Sequence, residues 1–180
     1  MLAFTAAVGF VGCKKGAEEV QAATPVVTAD TGPKLTITTP AFMPGQKIPV
    51  EYTCDGKDVN PEITWSGAPP AAKSFLLVVD DPDAPVGTFT HWVIFDMPAP
   101  MNALPEAVTG VGTQAKNDFG NAKWNGPCPP KGKEHRYFFK LFALDVEKLG
   151  LPDGTSRGEV EKKVDGHVVA KTETMGTFKH

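Results

Sequence analysis

From Lys34 onward the apolar positions either alternate or run together over short stretches, each bounded by Gly, Pro or Asp. That pattern predicts strands joined by tight connections. "KLTIT" (34–38) sets Leu35 and Ile37 on one face, and "IPVEYT" (48–53) and "EITWSG" (62–67) read as further short strands. "SFLLVVD" (74–80) is an unbroken apolar run of strand length, as expected for a strand buried on both faces. "THWVIFDMP" (90–98) and "HRYFFKLFALD" (135–145) are β-branched and aromatic, the other two strong strands, and "HVVAKTETMGTF" (167–178) alternates as a final one. Helix signals are weak and late. Asp145 is a candidate cap for a short turn through Leu149, and Ser156 for "RGEVEKKV" (157–164), which stops at Asp165-Gly166. Residues 34–180 thus read as one mostly β domain with one or two short helices.

The chain before Lys34 differs in kind. Residues 1–13, "MLAFTAAVGFVGC", are uncharged and apolar or small, like the core of a secretory signal. The ending "FVGC" resembles a bacterial lipobox, in which a small residue precedes a cysteine that becomes lipidated. Phe10 stands where that pattern usually has leucine, and no Lys or Arg precedes the apolar run. Residues 14–33, "KKGAEEVQAATPVVTADTGP", lack aromatics and sustained periodicity and read as a flexible tether. The expectation is a lipoprotein anchored through Cys13, facing the periplasm or the cell exterior, with the membrane as a partner through its lipid.

Composition narrows the classes. Of 180 residues, 41% are hydrophobic and 22% charged, with a formal net charge of −3. No run of Lys and Arg forms a nucleic-acid footprint. No apolar stretch reaches the roughly 18 residues of a membrane-spanning helix. With 18 Gly and 17 Pro, turns are abundant and long helices are not expected.

Strand period brings candidate chemistry together. In "HRYFFKLF" a period of two places His135, Tyr137, Phe139 and Leu141 on one face. In "HWVIF" the same period gives His91 a face with Val93 and Phe95. If the two strands are neighbours, their histidines meet at the rim of the core. Asp81 and Asp83, in "DDPDAP" (80–85), aim at the same rim. Carboxylates beside imidazoles favour the charged rings and fix their tautomers. Two imidazoliums, a tyrosine hydroxyl and loop amides would make a donor-rich pocket for a phosphate or carboxylate.

Four motifs then resemble the phosphatidylethanolamine-binding protein family: "DPDAP" (81–85), "HWVIFDMP" (91–98), "GPCPPKG" (126–132) and "HRYFFKLFALD" (135–145). "YTCDGKDVNPEITWSGAP" (52–69) and "NDFG" (117–120) are similar to its bacterial, Raf kinase inhibitor-like branch. The resemblance implies a large central β-sheet with a smaller flanking sheet and short helices. It also implies a small pocket for anionic groups, lined by Asp81, Asp83, Pro85, His91, Pro129, Pro130, His135 and Tyr137. A short connection between Pro85 and His91, and a strand-like end in place of a long C-terminal helix, set this chain apart from eukaryotic members.

A binding module is therefore the leading reading, with a small anionic ligand and no cofactor or metal. Control of a partner protein through surface loops is the alternative. Catalysis is less expected, because Ser66 and Ser74 sit in no nucleophile-elbow motif and only Cys128 is a tempting nucleophile. With Cys13 assigned to lipid, Cys54 and Cys128 form an even pair that an oxidising compartment could bond. Two separate small core residues, or a reactive Cys128, remain the other readings.

Overall fold

The computed structural model describes residues 34–180, together with Met1 and Ala3. Cys13 and the 14–33 tether lie outside the described residues. Two antiparallel sheets organise the described chain. The smaller one orders β1 (Thr36–Thr38), β2 (Ile63–Ser66) and β5 (Ala103–Leu104) as β1-β2-β5. The larger one contains β3 (Ser74–Asp81), β4 (Phe89–Pro98), β6 (Thr113–Gln114), β7 (Glu134–Leu144) and β8 (Val168–Lys179), ordered β6-β4-β3-β7-β8. One α-helix, α1 (Arg157–Val164), completes the framework.

The apolar run of β3 sits at the centre of the large sheet, and all eight of its residues are buried. Its alternate side chains serve two cores. Phase one, Phe75, Leu77 and Val79, packs with Leu35, Ile37, Trp65, Phe139 and Leu141 in the core that also takes in the small sheet. Phase two, Leu76 and Val78, packs with Val93, Phe95, Val160 and Val164 beneath α1. Each such fully buried apolar side chain is worth about 1.5–3 kcal/mol over exposure, so the central strand is a principal anchor of the fold. β7 keeps the period the sequence predicts: His135, Tyr137, Phe139 and Leu141 are all buried on one face.

α1 begins where the sequence expects. Ser156 accepts from the Glu159 backbone N–H, and the Glu159 side chain accepts from the Ser156 N–H, a reciprocal capping box. Two other expectations are overturned. "IPVEYT" is not a strand: only 45–48 runs along β8, through Gly45 N–H to Met175 O and Ile48 N–H to Thr177 O, before a 3₁₀ turn at Val50–Tyr52. Asp145 caps no helix; its carboxylate lies 2.8 Å from Nδ1 of His167 instead, and Leu149 N–H donates to Asp96.

Candidate anion site

The site residues collect at one end of the large sheet. β4 and β7 are not neighbours; each pairs with β3, which separates them. What brings His91 toward β7 is an irregularity. Val79 pairs with Trp92 and Asp80 with Thr90, so His91 is an extra residue on β4. Such a bulge shifts the side-chain phase. His91 therefore does not share a face with Val93 and Phe95, which lie under α1. It faces Tyr137 instead, ring centroids 5.1 Å apart and nearly perpendicular. Phe89 and Phe119 close an aromatic cluster around it at 5.4 Å each.

A loop fixes the His91 ring. Nδ1 lies 2.8 Å from the backbone oxygen of Asn125 and 3.1 Å from that of Gly126. Two carbonyls accept only, so Nδ1 carries the proton and Nε2 is left for another partner. The loop itself is held by Asn117, whose Nδ2 donates to His91 O, Lys123 O and Asn125 Oδ1 at 2.8–3.0 Å. Gly126 N–H donates to Asp58 Oδ1 at 2.6 Å, and a Cβ on Gly126 would fall 2.2 Å from the Tyr52 carbonyl oxygen. Burial pushes the His91 pKa below its ordinary value, outweighing the carbonyls and the nearby Asp81 charge. The expected pair of imidazoliums is thus corrected: desolvation leaves His91 neutral near pH 7.

His135 and Asp81 form a buried pair, Nδ1 to Oδ2 2.7 Å, both side chains nearly free of solvent contact. Asp83 serves a different partner from the one expected. Its carboxylate accepts from the Arg136 backbone N–H (3.0 Å), Nε (2.9 Å) and Nη2 (2.7 Å), not from a histidine. Those hydrogen bonds hold its pKa down at about 2. Tyr137 is wholly buried, and its hydroxyl makes no hydrogen bond of normal geometry, although the Cys128 backbone and the Asp81 carboxylate lie close enough to act on it. Burial first, and then the Asp81 charge, keep the phenol protonated well above its ordinary range. Leaving a buried donor unpaired costs about 1–3 kcal/mol.

Of the two loop prolines, Pro129 is buried and Pro130 exposed; Pro85 is exposed on the turn between β3 and β4. An open depression of ≈ 560 Å³ lies beside the buried cluster, lined by Asp83, Lys133, Glu134, His135, Arg136 and Thr177. A larger groove of ≈ 710 Å³ lies under α1, against Leu76, Val78 and Phe142. It shares no residue with the histidine cluster, and its Arg157 and Lys140 are spent on the buried Asp80, at 2.5 and 3.0 Å. The smaller depression reaches His135 and Asp83, and neither His91 nor Tyr137 lines it.

Comparison with known proteins agrees with this architecture. The sequence model for the phosphatidylethanolamine-binding protein family matches residues 38–179. The chain belongs to the phosphatidylethanolamine-binding protein family. A UPF0098 protein of Aquifex aeolicus is 51% identical over 146 residues, covering 77% of this chain and 85% of that protein. The UPF0098 protein PH1269 of Pyrococcus horikoshii is 44% identical over 140 residues, 73% of this chain and 70% of that one. Among solved structures, CT736 of Chlamydia trachomatis, described as a homologue of the family, matches with TM-score 0.79 and 33% identity. YbcL of E. coli, described as a new member of the mammalian family, matches with TM-score 0.76 and 31% identity. The alignments cover 83% and 82% of this chain and 99% of each neighbour.

Within this family member, sequence reasoning missed Asn117, Asn125, Gly126 and Arg136. "NDFG" and "GPCPP" marked the right segments, but nothing in a motif says that backbone carbonyls will meet a histidine. Arg136, next to His135 on the opposite face of β7, was legible as a charge but not as the partner of Asp83.

Proposed function

We propose that the chain is a binding module for small phosphate-type anions, such as the phosphate of a phospholipid head group, at the cluster of His91, His135, Tyr137 and Asp81. The observation that carries this reading is the buried Tyr137 hydroxyl, protonated and unpartnered, beside two histidines whose Nδ1 atoms are already engaged. A singly protonated phosphate suits that arrangement. Inorganic phosphate or a phosphomonoester in that form accepts from the Tyr137 O–H and donates its own proton to the free Nε2 of neutral His91, so no imidazolium is needed. A phosphodiester head group, which has no proton to give near pH 7, accepts from the hydroxyl alone. Asp81 orients His135 through the 2.7 Å contact with its Nδ1. Binding rather than turnover fits the cysteine chemistry as well, since bonded Cys128 has no thiolate with which to attack. Calorimetric titration with inorganic phosphate and with a soluble phosphoethanolamine lipid head tests the reading. Saturable binding that Tyr137→Phe weakens supports it; no binding by the folded wild type defeats it.

The lipobox-like "FVGC" supports a second element of the same proposal, a lipid anchor at Cys13 that holds the domain at a membrane of the cell envelope. Cys13→Ser should then move the protein from the membrane fraction to the soluble one. Retention in the pellet would defeat the anchor without touching the anion site.

A further inference from the structure

Cys54 and Cys128 are bonded, with Cα atoms 5.5 Å apart, and both are exposed. A third donor stands beside them. The two Sγ atoms and a ring nitrogen of His180 all lie within 4.8 Å of one another, and Asp55 Oδ1 is 3.2 Å from His180 Nε2. These donors come from three segments: the turn after the 3₁₀ helix, the proline-rich loop and the chain beyond β8. Backbone bonds hold the segments together independently of sulfur. Cys54 N–H donates to Pro127 O at 3.1 Å, and Gly132 N–H to His180 O at 3.4 Å. Opening the disulfide would therefore leave the donors assembled.

We propose that Cys54, Cys128 and His180 form a redox-gated site for a borderline-soft divalent cation, with zinc the best fit. Two thiolates and an imidazole are a zinc donor set that leaves one coordination position for water or a further ligand. The 5.5 Å Cα separation lets side-chain rotation part the sulfurs while each stays about 2.3 Å from a shared metal. With Nδ1 of His180 on the metal, its Nε2 stays on Asp55, the carboxylate that commonly backs a histidine ligand. The bonded cysteines exclude metal, because neither sulfur is a thiolate. A dithiol reductant opens the site by giving two electrons and two protons to the Cys54–Cys128 bond. That bond breaks to two thiols while the reductant closes its own disulfide, and exposed disulfides are the ones such reagents reach. Metal binding then releases both thiol protons.

The test uses the untagged full chain carrying Cys13→Ser, so that only this pair of thiols is present. Oxidised and dithiol-reduced samples, freed of reductant under anaerobic conditions, are titrated with Zn²⁺ and with Co²⁺. The expected result is one equivalent bound by the reduced protein, with a near-ultraviolet thiolate-to-cobalt absorption band, and none by the oxidised protein. His180→Ala should abolish or strongly weaken binding, and Asp55→Asn should weaken it by about 10–100-fold. Two free thiols without metal uptake would overturn the proposal. So would equal uptake by oxidised protein, or wild-type affinity in folded His180→Ala.

Discussion

The rings of His91 and Tyr137 meet edge-on with centroids 5.1 Å apart, although β4 and β7 are each hydrogen-bonded to β3 and not to one another. The bulge at His91 makes this possible by placing one additional residue against the Val79–Asp80 step of β3. Without it, strict alternation would carry the imidazole toward α1 and leave Tyr137 facing apolar side chains alone. The hydroxyl of Tyr137 is thereby buried next to a histidine and still makes no hydrogen bond of normal geometry.

Tyr137→Phe separates stability from binding. Removing an unpaired buried hydroxyl while keeping the ring should leave the folded state unchanged or stabilise it by about 1 kcal/mol. The same change should weaken phosphate affinity by ~1.5–3 kcal/mol, the worth of a hydrogen bond to a charged group. Denaturant unfolding beside calorimetry reads both. A variant that loses stability and keeps affinity would show that the hydroxyl serves the fold.

The lowered pKa of His91 sets the sign of a pH effect. Its unfolded value is about 6.5, and its folded value lies below that because burial disfavours the charged ring. Below about pH 6.5 the unfolded chain takes up a proton that the folded ring refuses, so stability falls with falling pH until the folded ring also charges. His91→Asn retains an N–H for the Asn125 and Gly126 carbonyls but does not titrate, so its stability should fall less over that range. Sulfate, whose charge is constant there, should bind more tightly only as pH falls through the lowered folded pKa of His91 and the ring becomes a donor. If NMR shows the ring charging while sulfate affinity stays unchanged, Nε2 of His91 does not meet the anion.

Asp83 gives a second, independent titration. With its pKa held at about 2 by Arg136, its contribution to stability is complete above roughly pH 3.9, the ordinary unfolded value, and is lost as pH falls toward 2. Arg136 is half exposed, so the pair weakens with added salt. In Arg136→Ala the Asp83 carboxyl should titrate close to the ordinary carboxylate range, which carbon-detected NMR follows directly. A value still near 2 would assign the depression to another donor.

Much of this was legible in the sequence because it depends on local periodicity. The two-residue period of β7 put His135 and Tyr137 side by side, the unbroken run of β3 marked the centre of the sheet, and Ser156 with Glu159 announced the start of α1. The misses have a different origin. The face of His91 depends on a bulge, which is set by pairing with β3 rather than by the "THWVIF" pattern itself. The tautomer of His91 depends on carbonyls 34 and 35 residues away, and those have no sequence signature. The charge of His91 depends on burial, so a motif rich in acids and histidines suggested two charged rings where desolvation leaves one neutral. "IPVEYT" has strand composition, but Pro49 offers no N–H to a ladder and the chain turns instead.

Gly126→Ala tests whether the carbonyl loop positions His91. Gly126 lies flat against the turn after the 3₁₀ helix, where an added Cβ would sit 2.2 Å from Tyr52 O and 2.9 Å from the Thr53 Cα. Both are backbone atoms and cannot swing aside as a flexible side chain can. The loop must therefore retreat, lengthening the Gly126 N–H bond to Asp58 and moving the Asn125 and Gly126 oxygens away from Nδ1 of His91. Destabilisation of about 1–3 kcal/mol is expected, the range for overpacking a tight contact. Because the disulfide at Cys128 and the Cys54 N–H bond to Pro127 still hold the chain two residues on, the fold should persist. Phosphate affinity should fall, and the Nδ1 proton of His91, visible by NMR when shielded by two acceptors, should exchange faster. Fast exchange with full affinity would show that loop and anion act on His91 separately; slow exchange in the variant would show that the loop does not set the ring.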